Sequence, residues 1–283
     1  MSKGEPIRPF LKWAGSKRSI VSILSSYWCE DFTTYIEPFV GSGSLFFYLR
    51  PKRALLADIN SDLMFTYRRI KEDPEAIASE LDKMPRGKDN YYKIRSSKYP
   101  VASSFGRAAR FVYLNKLSFN GLYRTNKKGE FNVPYGGEKA GRLPTRETLR
   151  QCSEALRGTS LLSGDFSLAL EKARAGDFVY LDPPYSVKAR RVFAEYDRTC
   201  FSERDLRRLR QWLDRLTQRG VVFLLSYAKC MEATLLTKGY KVREITVRRN
   251  IAGFSVHRRY AKEWLATNED LIVGRRDGTP KPR

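Results

Sequence analysis

Short apolar runs alternate with amphipathic stretches over most of the chain, and this alternation predicts an α/β protein with a largely parallel sheet. Buried strands are predicted at the continuous apolar runs 34–39, 54–58, 160–163, 178–181 and 221–225. Helices are predicted between or after them at 19–28, 45–49, 60–71, 203–218 and 230–237. The runs 241–247 and 260–265 predict a closing antiparallel pair of strands.

The helix predicted over 203–218 is strongly amphipathic, and the stretch that begins at Ser202 supplies its N-terminal cap. One apolar stripe, which predicts burial in the core, consists of Leu206, Leu209, Leu213 and Leu216. The arginines of the same helix are expected to stay largely solvated, namely Arg204, Arg207, Arg208 and Arg210.

Residues 73–158 interrupt this α/β rhythm with helices predicted at 74–84, 88–98, 106–117 and 145–156. Between them, residues 115–136 carry Asn-Gly and Lys-Gly turn signals typical of a loop or hairpin. Their aromatic, amide and cationic side chains are suited to stacking on bases and bonding to base edges. We interpret this segment as an inserted recognition domain, and a helical lid over a cofactor is the alternative.

An acid followed by two prolines and an aromatic, Asp182-Pro183-Pro184-Tyr185, ends the apolar run 178–181. Neither proline can donate to a sheet ladder, so a strand must end here and leave Asp182 at its carboxyl end. Open α/β sheets bind ligands at that end. A carboxylate, carbonyls beside rigid prolines and an aromatic face suit a planar, amine-bearing group, although a plain strand-ending turn has the same signature.

Three further strand ends or turns carry candidate chemistry. A strand leads into the glycine turn 40–44, and the next strand ends at Asp58, at the offset where an acid commonly accepts ribose hydroxyls. Asp165 similarly follows the run 160–163. Near the start of the chain, residues 10–18 mix apolar and basic side chains around Gly15, whose backbone can approach a ligand closely. Residues 34–72 together predict one βαβ half-site for an adenosine-containing cofactor; an ordinary strand–helix turn, with Asp58 as a helix N-cap, is the alternative.

Charge changes the picture from a small-molecule enzyme to one with a polyanionic partner. Lysine and arginine total 53 against 31 acids, a formal net charge of +22. Because this charge is spread along the chain, nucleic acid is favoured over an anionic membrane. Four scattered cysteines and one histidine make a metal site improbable, so no metal is expected. No signal-peptide pattern and no long apolar run is present, which predicts a cytoplasmic protein without a membrane partner.

With these motifs in order, the chain resembles the D12-class DNA N6-adenine methyltransferases, most closely those of the Dam type. The matching stretches are FLKWAGSKR (10–18), YIEPFVGSGSLFF (35–47), LLADIN (55–60), NKLSFNGLYRTNKKGEFNVPYG (115–136), GDF (164–166), LDPPY (181–185) and RRNIAGFSVHRRYAKEWLATN (248–268). Ser16 departs from the family, which more often has a second glycine there; the serine would restrict the backbone beside the cofactor.

The resemblance implies a Rossmann-like class I methyltransferase with a mixed seven-stranded sheet. Residues 1–72 and 159–270 would form the domain that binds S-adenosyl-L-methionine. Residues 73–158 would form a mainly helical target-recognition domain, and 271–283 a basic tail. A monomer is expected in solution, and the sequence is compatible with more than one copy on double-stranded DNA.

The resemblance also implies the site residues. Methyl transfer would depend on Asp182, Pro183, Pro184 and Tyr185. The cofactor would be bound by Trp13, Ala14, Gly15, Lys17, Glu37, Pro38, Phe39, Gly41, Ser42, Gly43, Asp58, Ile59, Asp165, Phe166 and Asp182. DNA would be contacted by Lys12, Asn115, Lys116, Phe119, Asn120, Leu122, Arg124, Asn126, Asn132, Pro134, Lys188, Arg190, Arg191, Arg248 and Arg258.

In the implied reaction, the target adenine leaves the duplex, and Asp182 and the Pro183 carbonyl accept its N6 hydrogens while Tyr185 stacks on its ring. Lys12 and Arg124 would contact guanines, and GATC is the implied site. An RNA methyltransferase acting on an exocyclic amine, and a catalytically inactive DNA-binding regulator, remain the alternatives.

Overall fold

The computed structural model describes residues 6–96, 98–184, 201–249 and 259–269. The strands in these ranges are β1 (Tyr35–Glu37), β2 (Ala54–Asp58), β3 (Thr159–Ser163), β4 (Phe178–Leu181), β5 (Val222–Ala228), β6 (Lys241–Arg249) and β7 (Arg259–Thr267). They form one seven-stranded sheet in the order β3-β2-β1-β4-β5-β7-β6. Strands β1 to β5 run parallel, whereas β7 runs antiparallel to both β5 and β6. The mixed seven-stranded sheet of the expected α/β fold is confirmed.

The position of β1 determines where this sheet can bind a ligand. Strands β2 and β3 lie on one side of β1, and β4 and β5 lie on the other. Consecutive strands that diverge in this way open a crevice outside their carboxyl ends, where open α/β sheets bind ligands. In register, Tyr35 of β1 is opposite both Ala54 and Phe178. The residues that follow β1, β2 and β4 therefore meet at one edge of the sheet.

Helices cover both faces of the sheet. They are α1 (Val21–Ser25), α2 (Ser44–Leu49), α3 (Ser61–Glu72), α4 (Pro74–Asp82), α5 (Lys88–Arg95), α6 (Ser104–Leu117), α7 (Arg146–Leu156), α8 (Phe166–Leu170), α9 (Glu203–Gln218) and α10 (Met231–Thr237). Short 3₁₀ turns add Lys17–Ile20, Phe119–Gly121 and Gly137–Lys139. Helices α1 to α7 share one hydrophobic cluster with the face that carries Tyr35, Phe178 and Tyr180. Helices α8 to α10 pack on the opposite face, beneath Ile36 and Val179.

Helix α9 shows how much of this packing follows from the local sequence. Ser202 and Asp205 form a reciprocal capping box at its start. The predicted leucine stripe is buried, with Leu209, Leu213 and Leu216 each 0% exposed. The expectation that all four arginines stay solvated is wrong for two of them. Arg210 bonds to Asp214 and to the carbonyls of Leu236 and Lys238 at the end of α10, and Arg208 reaches across to Asp165.

Most other predicted elements are present within a few residues of their expected bounds, with two informative differences. The helix expected over 19–28 is instead a 3₁₀ turn, Lys17–Ile20, followed by the five-residue α1. The short α8 was not predicted, because five residues give too little periodicity to recognise. It begins where the Asp165 side chain accepts the backbone N–H of Ser167. Among the described residues, no helix combines the length and apolar character that crossing a bilayer would require.

The segment expected to recognise DNA is joined to the sheet domain through helix packing and one buried amide. Helices α4 and α7 pack against each other, and α6 packs against α3 and α4. Asn115, 1% exposed near the end of α6, accepts the Lys12 N–H at 2.9 Å and donates to the Lys12 carbonyl at 2.8 Å. Its amide also donates to the Gly121 carbonyl at 3.3 Å. The assignment of 73–158 as a separate recognition domain stays a prediction.

Asn115→Ala should therefore destabilise the fold by about 2–3 kcal/mol, because the part-buried backbone groups of Lys12 and the buried carbonyl of Gly121 lose their partner. Urea unfolding of purified protein measures this change. Asn90→Ala is the control, since the Asn90 amide makes only a surface bond to the Arg86 carbonyl, and it should stay within about 0.5 kcal/mol of wild type. Equal stability of the two variants would contradict the role assigned to Asn115.

Candidate active site

Carboxylates converge at the edge of the sheet where the central strands end. Glu37 is the last residue of β1, Asp58 is the last of β2, and Asp182 follows β4 directly. Asp165 follows β3 after Gly164, as its position in the sequence predicted. The parallel register places these ends side by side, which is why residues so distant in sequence share one site.

Lys17 is the cation at the centre of this edge. Its ammonium lies 2.5 Å from Asp182 Oδ1 and 3.1 Å from Glu263 Oε1, and it also donates to the Gly15 carbonyl at 3.3 Å. The Lys17 side chain is 8% exposed, compared with 20% for Asp182. A buried ion pair costs desolvation, so it persists only with good geometry and further hydrogen bonds, and both are present here. The pair fixes the Asp182 carboxylate at the mouth of the crevice.

Beneath Asp182 lies a layer of buried hydroxyl and carboxyl groups. Tyr35 donates its hydroxyl to Glu37 Oε2 at 2.9 Å. Burial is the main cause that raises the pKa of Glu37 well above 4.5, and the neighbouring carboxylates Asp182 and Asp58 add to it. The Tyr180 hydroxyl is buried beside Ser226 without a well-formed hydrogen bond to any described residue. This layer leaves a polar atom that a bound ligand or water could satisfy.

The glycine turn after β1 holds Asp58 in place. Asp58 Oδ2 accepts the Gly41 N–H at 3.1 Å, and Oδ1 accepts the Asn60 N–H at 3.0 Å. Gly41 has φ of 46°, and a Cβ there would come within 2.6 Å of the Trp13 ring. Only glycine therefore allows Trp13 to cover the turn. The backbone and Asp58 form a fixed cradle beneath an aromatic roof.

Asp165 is held more tightly than the sequence indicated. Arg208 from α9 contacts both its oxygens, at 2.6 and 3.1 Å, and Ser167 Oγ donates to Oδ1 at 2.6 Å. Although partial burial acts in the opposite direction, the Arg208 and Ser167 bonds lower the pKa of Asp165. The Arg208 guanidinium also lies 4.9 Å from the centre of the Phe166 ring. Asp165 is thus kept ionised as an acceptor beside an aromatic face.

Two apolar side chains beside these acids are unusually exposed. Ile59 is 56% exposed next to Asp58, and Leu168 is 43% exposed next to Asp165. Phe39 and Phe166 pack on each other nearby, with ring centres 5.4 Å apart. Exposed carbon beside hydrogen-bond acceptors is the combination that a planar heterocycle requires.

Lys12 passes from the sheet edge into the segment expected to recognise DNA. A Cβ at Gly121 would come within 2.3 Å of Lys12 Cβ, and one at Gly141 within 2.7 Å of Lys12 Cε. Two glycines thus form the channel through which the lysine passes. Burial lowers the pKa of Lys12, and it also lowers that of the adjacent Lys116, to about 8.

The segment 123–132 folds back as a hairpin that presents Arg124. Thr125 bridges Phe131, and Arg124 Nε donates to Asn132 Oδ1 at 2.8 Å. The Asn126 side chain accepts the backbone N–H groups of Lys128 and Glu130 and so forms the turn. Asn126 and Asn132 thus shape the hairpin in the structure, while their contact with DNA stays a prediction, as does that of Asn115.

The other residues predicted to contact DNA surround this hairpin. Asn120, at φ of 55°, and Pro134 are exposed, while Phe119, Leu122 and Lys116 are half-buried. Tyr185, Lys188, Arg190, Arg191 and Arg258 lie outside the described residues, and of Arg248 only the backbone in β6 is described. In the described part of the chain, no group of three or more His, Cys, Asp or Glu side chains could hold a metal ion.

Sequence reasoning missed several residues that the fold brings to the site. Glu263, Tyr180, Ser226 and Arg208 were not predicted there. Glu263 had a detectable signal, since it is an acid that alternates with Ala261 and Leu265 on the inward face of its strand. Tyr123 was missed as well; its ring stacks 6.0 Å from Trp13, and its hydroxyl donates to Asp62.

Comparisons with known proteins agree on one family. A model of the D12 class N6 adenine-specific DNA methyltransferase matches residues 13–251. A type II methyltransferase of Lactococcus lactis subsp. cremoris, M1.LlaDCHI, is 37% identical over 93% of this chain and 95% of its own length. Another from Methanocaldococcus jannaschii, M.MjaIII, is 34% identical over 87% of this chain and 93% of its own. The DNA adenine methylase of Escherichia coli K12 is 31% identical over 94% and 97%.

Glu37→Gln should stabilise the protein, and more so at high pH. Because the pKa of Glu37 in the folded protein is raised above the ordinary 4.5, the stability that its protonated form contributes is fully present below about pH 4.5. This contribution is lost as pH rises through the folded-state value. Glutamine can still accept from Tyr35 but cannot ionise, so the advantage of the variant in urea unfolding should be larger at pH 8 than at pH 5. Glu154→Gln, at an exposed position, should give the same small change at both pH values; a pH-independent effect of Glu37→Gln would contradict the prediction.

Proposed function

The chain belongs to the D12 class of N6 adenine-specific DNA methyltransferases, and on that premise we propose that it methylates an adenine flipped out of duplex DNA, with S-adenosyl-L-methionine as methyl donor. The observation that carries this proposal is the Lys17–Asp182 pair at the crevice between β1 and β4. It presents an oriented carboxylate where the sheet can bind a cofactor, and Trp13, four residues before Lys17, stacks on Tyr123 of the hairpin that carries Arg124.

The residues at the sheet edge fit this cofactor. A glycine cradle under Trp13, the exposed carbon of Ile59 and Leu168, and the buried Tyr180 hydroxyl offer complementary surfaces for a nucleoside with a polar tail. Asp58 would accept the ribose hydroxyls, and Asp165 the adenine amino group, while Arg208 keeps Asp165 charged. Glu37 and the turn Gly41–Gly43 would lie near the methionine end, along with Ala14, Gly15, Pro38 and Ser42.

When bound, S-adenosyl-L-methionine supplies an electrophilic methyl group, and the protein supplies position and electrostatics. Asp182 and the Pro183 carbonyl would each accept one hydrogen from N6 of the target adenine. Two acceptors favour a pyramidal nitrogen, which turns its lone pair away from the ring and toward the methyl group. Alignment of nitrogen and methyl at about 3–3.5 Å would then supply much of the rate. The proton released from N6 would pass to Asp182 or to solvent.

One aromatic side chain would hold the flipped target base, and another would fill the position that the base leaves in the duplex. Tyr185, in the segment outside the described residues, would stack on the flipped ring, a contact worth about 1–3 kcal/mol. Phe119 would wedge into the duplex beside the vacated position, and Asn120 would contact the orphaned partner or a neighbouring base. Flipping itself costs a few kcal/mol, which these contacts would offset.

The proposed site is GATC. A cationic side chain can address O6 and N7 of guanine in the major groove. Asn115 holds the backbone of Lys12, and Asn132 accepts from the guanidinium of Arg124, so these two cations are the proposed guanine contacts. Leu122 and Pro134 would pack near the thymine methyl. The basic surface, with a net charge of +22 for the chain, would bind phosphates and make affinity salt-dependent.

Loss of Asp182 should eliminate methyl transfer. Asp182→Ala and the closer isostere Asp182→Asn should lower the transfer of tritiated methyl groups to duplex DNA at least about a hundred-fold, because an oriented acceptor is removed. DNA affinity should stay within about three-fold of wild type, since most of it comes from phosphate contacts. Asp214→Ala, on the far side of α9, is the control and should transfer normally. Substantial transfer by folded Asp182→Asn would reject the assignment.

Expression in a host that lacks adenine methylation should make plasmid DNA resistant to a GATC nuclease that methylation blocks and sensitive to one that requires methylation. Arg124→Ala should lose this protection, because one guanine contact worth about 1–3 kcal/mol is removed. Lys127→Ala, in the same hairpin but without support from Asn132, should keep it. Unchanged cutting by both nucleases with active wild-type enzyme would reject GATC while leaving the proposed chemistry intact.

A further inference from the structure

Glu263 is a carboxylate in an unexpected place. It lies near the middle of β7, opposite Ala228 of β5 and Ile245 of β6. Its inward neighbours on the strand, Ala261 and Leu265, pack in the hydrophobic cluster on this face of the sheet. Glu263 is nevertheless 2% exposed. Because burial of a charge is costly unless it is paired, the residue needs a specific partner.

That partner is the ammonium that also holds Asp182. Glu263 Oε1 lies 3.1 Å from Lys17 Nζ and accepts the Ser226 hydroxyl at 2.9 Å. Lys17 has three N–H donors, and Asp182, Glu263 and the Gly15 carbonyl lie within reach as three acceptors. The direction of the Lys17 ammonium, and hence the position of the Asp182 carboxylate, depends on the anchor that Glu263 provides from β7.

The charges around Lys17 also indicate that Glu263 affects Asp182. One ammonium faces two carboxylates, so the negative charge of Glu263 partly offsets the positive potential of Lys17 at Asp182. In a site removed from water, a charge a few ångströms away has a large effect on its neighbour. A carboxylate neutralised by its own lysine would be a weaker acceptor for an N–H group. Sharing the lysine with Glu263 keeps Asp182 available as an acceptor.

We propose that Glu263 is a positioning residue for the methyl-transfer reaction, which acts on Asp182 through Lys17 and is itself held by Ser226. The inference rests on the proposed function, because it presumes that Asp182 accepts the target amine. It assigns a role to the closing antiparallel strand, which brings an anchor for the reacting edge from a region more than eighty residues beyond Asp182 in the sequence.

The groups that face Asp182 come from several elements and must be considered in any pH measurement. They are Lys17 from the 3₁₀ turn, Glu37 from β1, Tyr180 from β4 and Glu263 from β7. Tyr180 stays neutral in any practical assay, because burial raises its pKa well above 10. Glu37 is present in every variant below, so comparison between variants cancels its titration.

Glu263→Gln keeps the size of the side chain and one acceptor oxygen but removes its charge. We expect kcat for methyl transfer to fall about ten- to hundred-fold with little change in KM for DNA, as expected for a misplaced catalytic group. The acid limb of the pH–rate profile should move about one pH unit lower, because the negative charge of Glu263 no longer offsets the effect of Lys17 on Asp182. Purely structural support would lower stability without moving that limb.

Glu263→Asp restores the charge but withdraws the carboxylate by one methylene. It should keep the wild-type acid limb and lower kcat about ten-fold, and it covers the case in which Glu263→Gln does not fold. Glu244→Gln is the control on the neighbouring strand, where the carboxylate pairs with Lys229 and Lys262 at the surface, and it should match wild type. Thermal unfolding of each variant confirms that the fold is retained.

The outcomes separate the two levels of the proposal. Absence of methyl transfer by wild-type enzyme would reject the proposed function. Active wild type with Glu263→Asp unchanged in kcat, or with folded Glu263→Gln unchanged in both kcat and the acid limb, would overturn only the positioning role. A fall in kcat together with a shifted limb in Glu263→Gln and an unshifted limb in Glu263→Asp would support it.

Discussion

One buried ammonium connects the parts of the site that are most distant in the chain. Lys17 contacts Asp182, 165 residues further along the chain, and also Glu263 on β7. Three distant segments therefore meet at the Lys17 ammonium. An exposed ion pair would contribute little to the stability of the fold. When one partner of a buried pair is lost, however, the protein is strongly destabilised. The geometry of this edge of the sheet therefore depends on correct assembly of the whole sheet, including its antiparallel end.

A second connection fixes the hairpin and the loop that carries Lys12. Asn115 bonds to both backbone groups of Lys12, immediately before Trp13 covers the glycine turn. Tyr123 continues the link by stacking on Trp13 and bonding to Asp62 on α3. The same short stretch, 12–17, thus touches the hairpin, the glycine turn and Asp182. In the proposed reaction this arrangement would place base readout and chemistry in a fixed relation.

Most of the fold could be predicted from the sequence, because parallel strands that are buried on both faces are continuous apolar runs with polar residues at their ends. Asp58, Asp165 and Asp182 were predicted for that reason. The sequence could not show which arginine of α9 would reach Asp165, since Arg207 and Arg208 are adjacent and equally basic. Only the packing of α9 determines which of the two faces Asp165. The local pattern marks Glu263 only as an acid at an inward position; its role was missed because its partner is a lysine 246 positions earlier, and no local pattern connects the two.

The distribution of charge favours one orientation of a nucleic-acid substrate, with the base directed toward the sheet edge. The chain carries a net charge of +22, yet the described sheet edge gathers Glu37, Asp58, Asp165, Asp182 and Glu263 around Lys17 and Arg208. Phosphate is attracted to the basic surface but repelled by this acidic edge. The part of a nucleotide that gains by entering the crevice is a group rich in N–H donors, because buried carboxylates require donors. The opposition between surface and interior would thus keep the backbone outside and admit the amino group of the base.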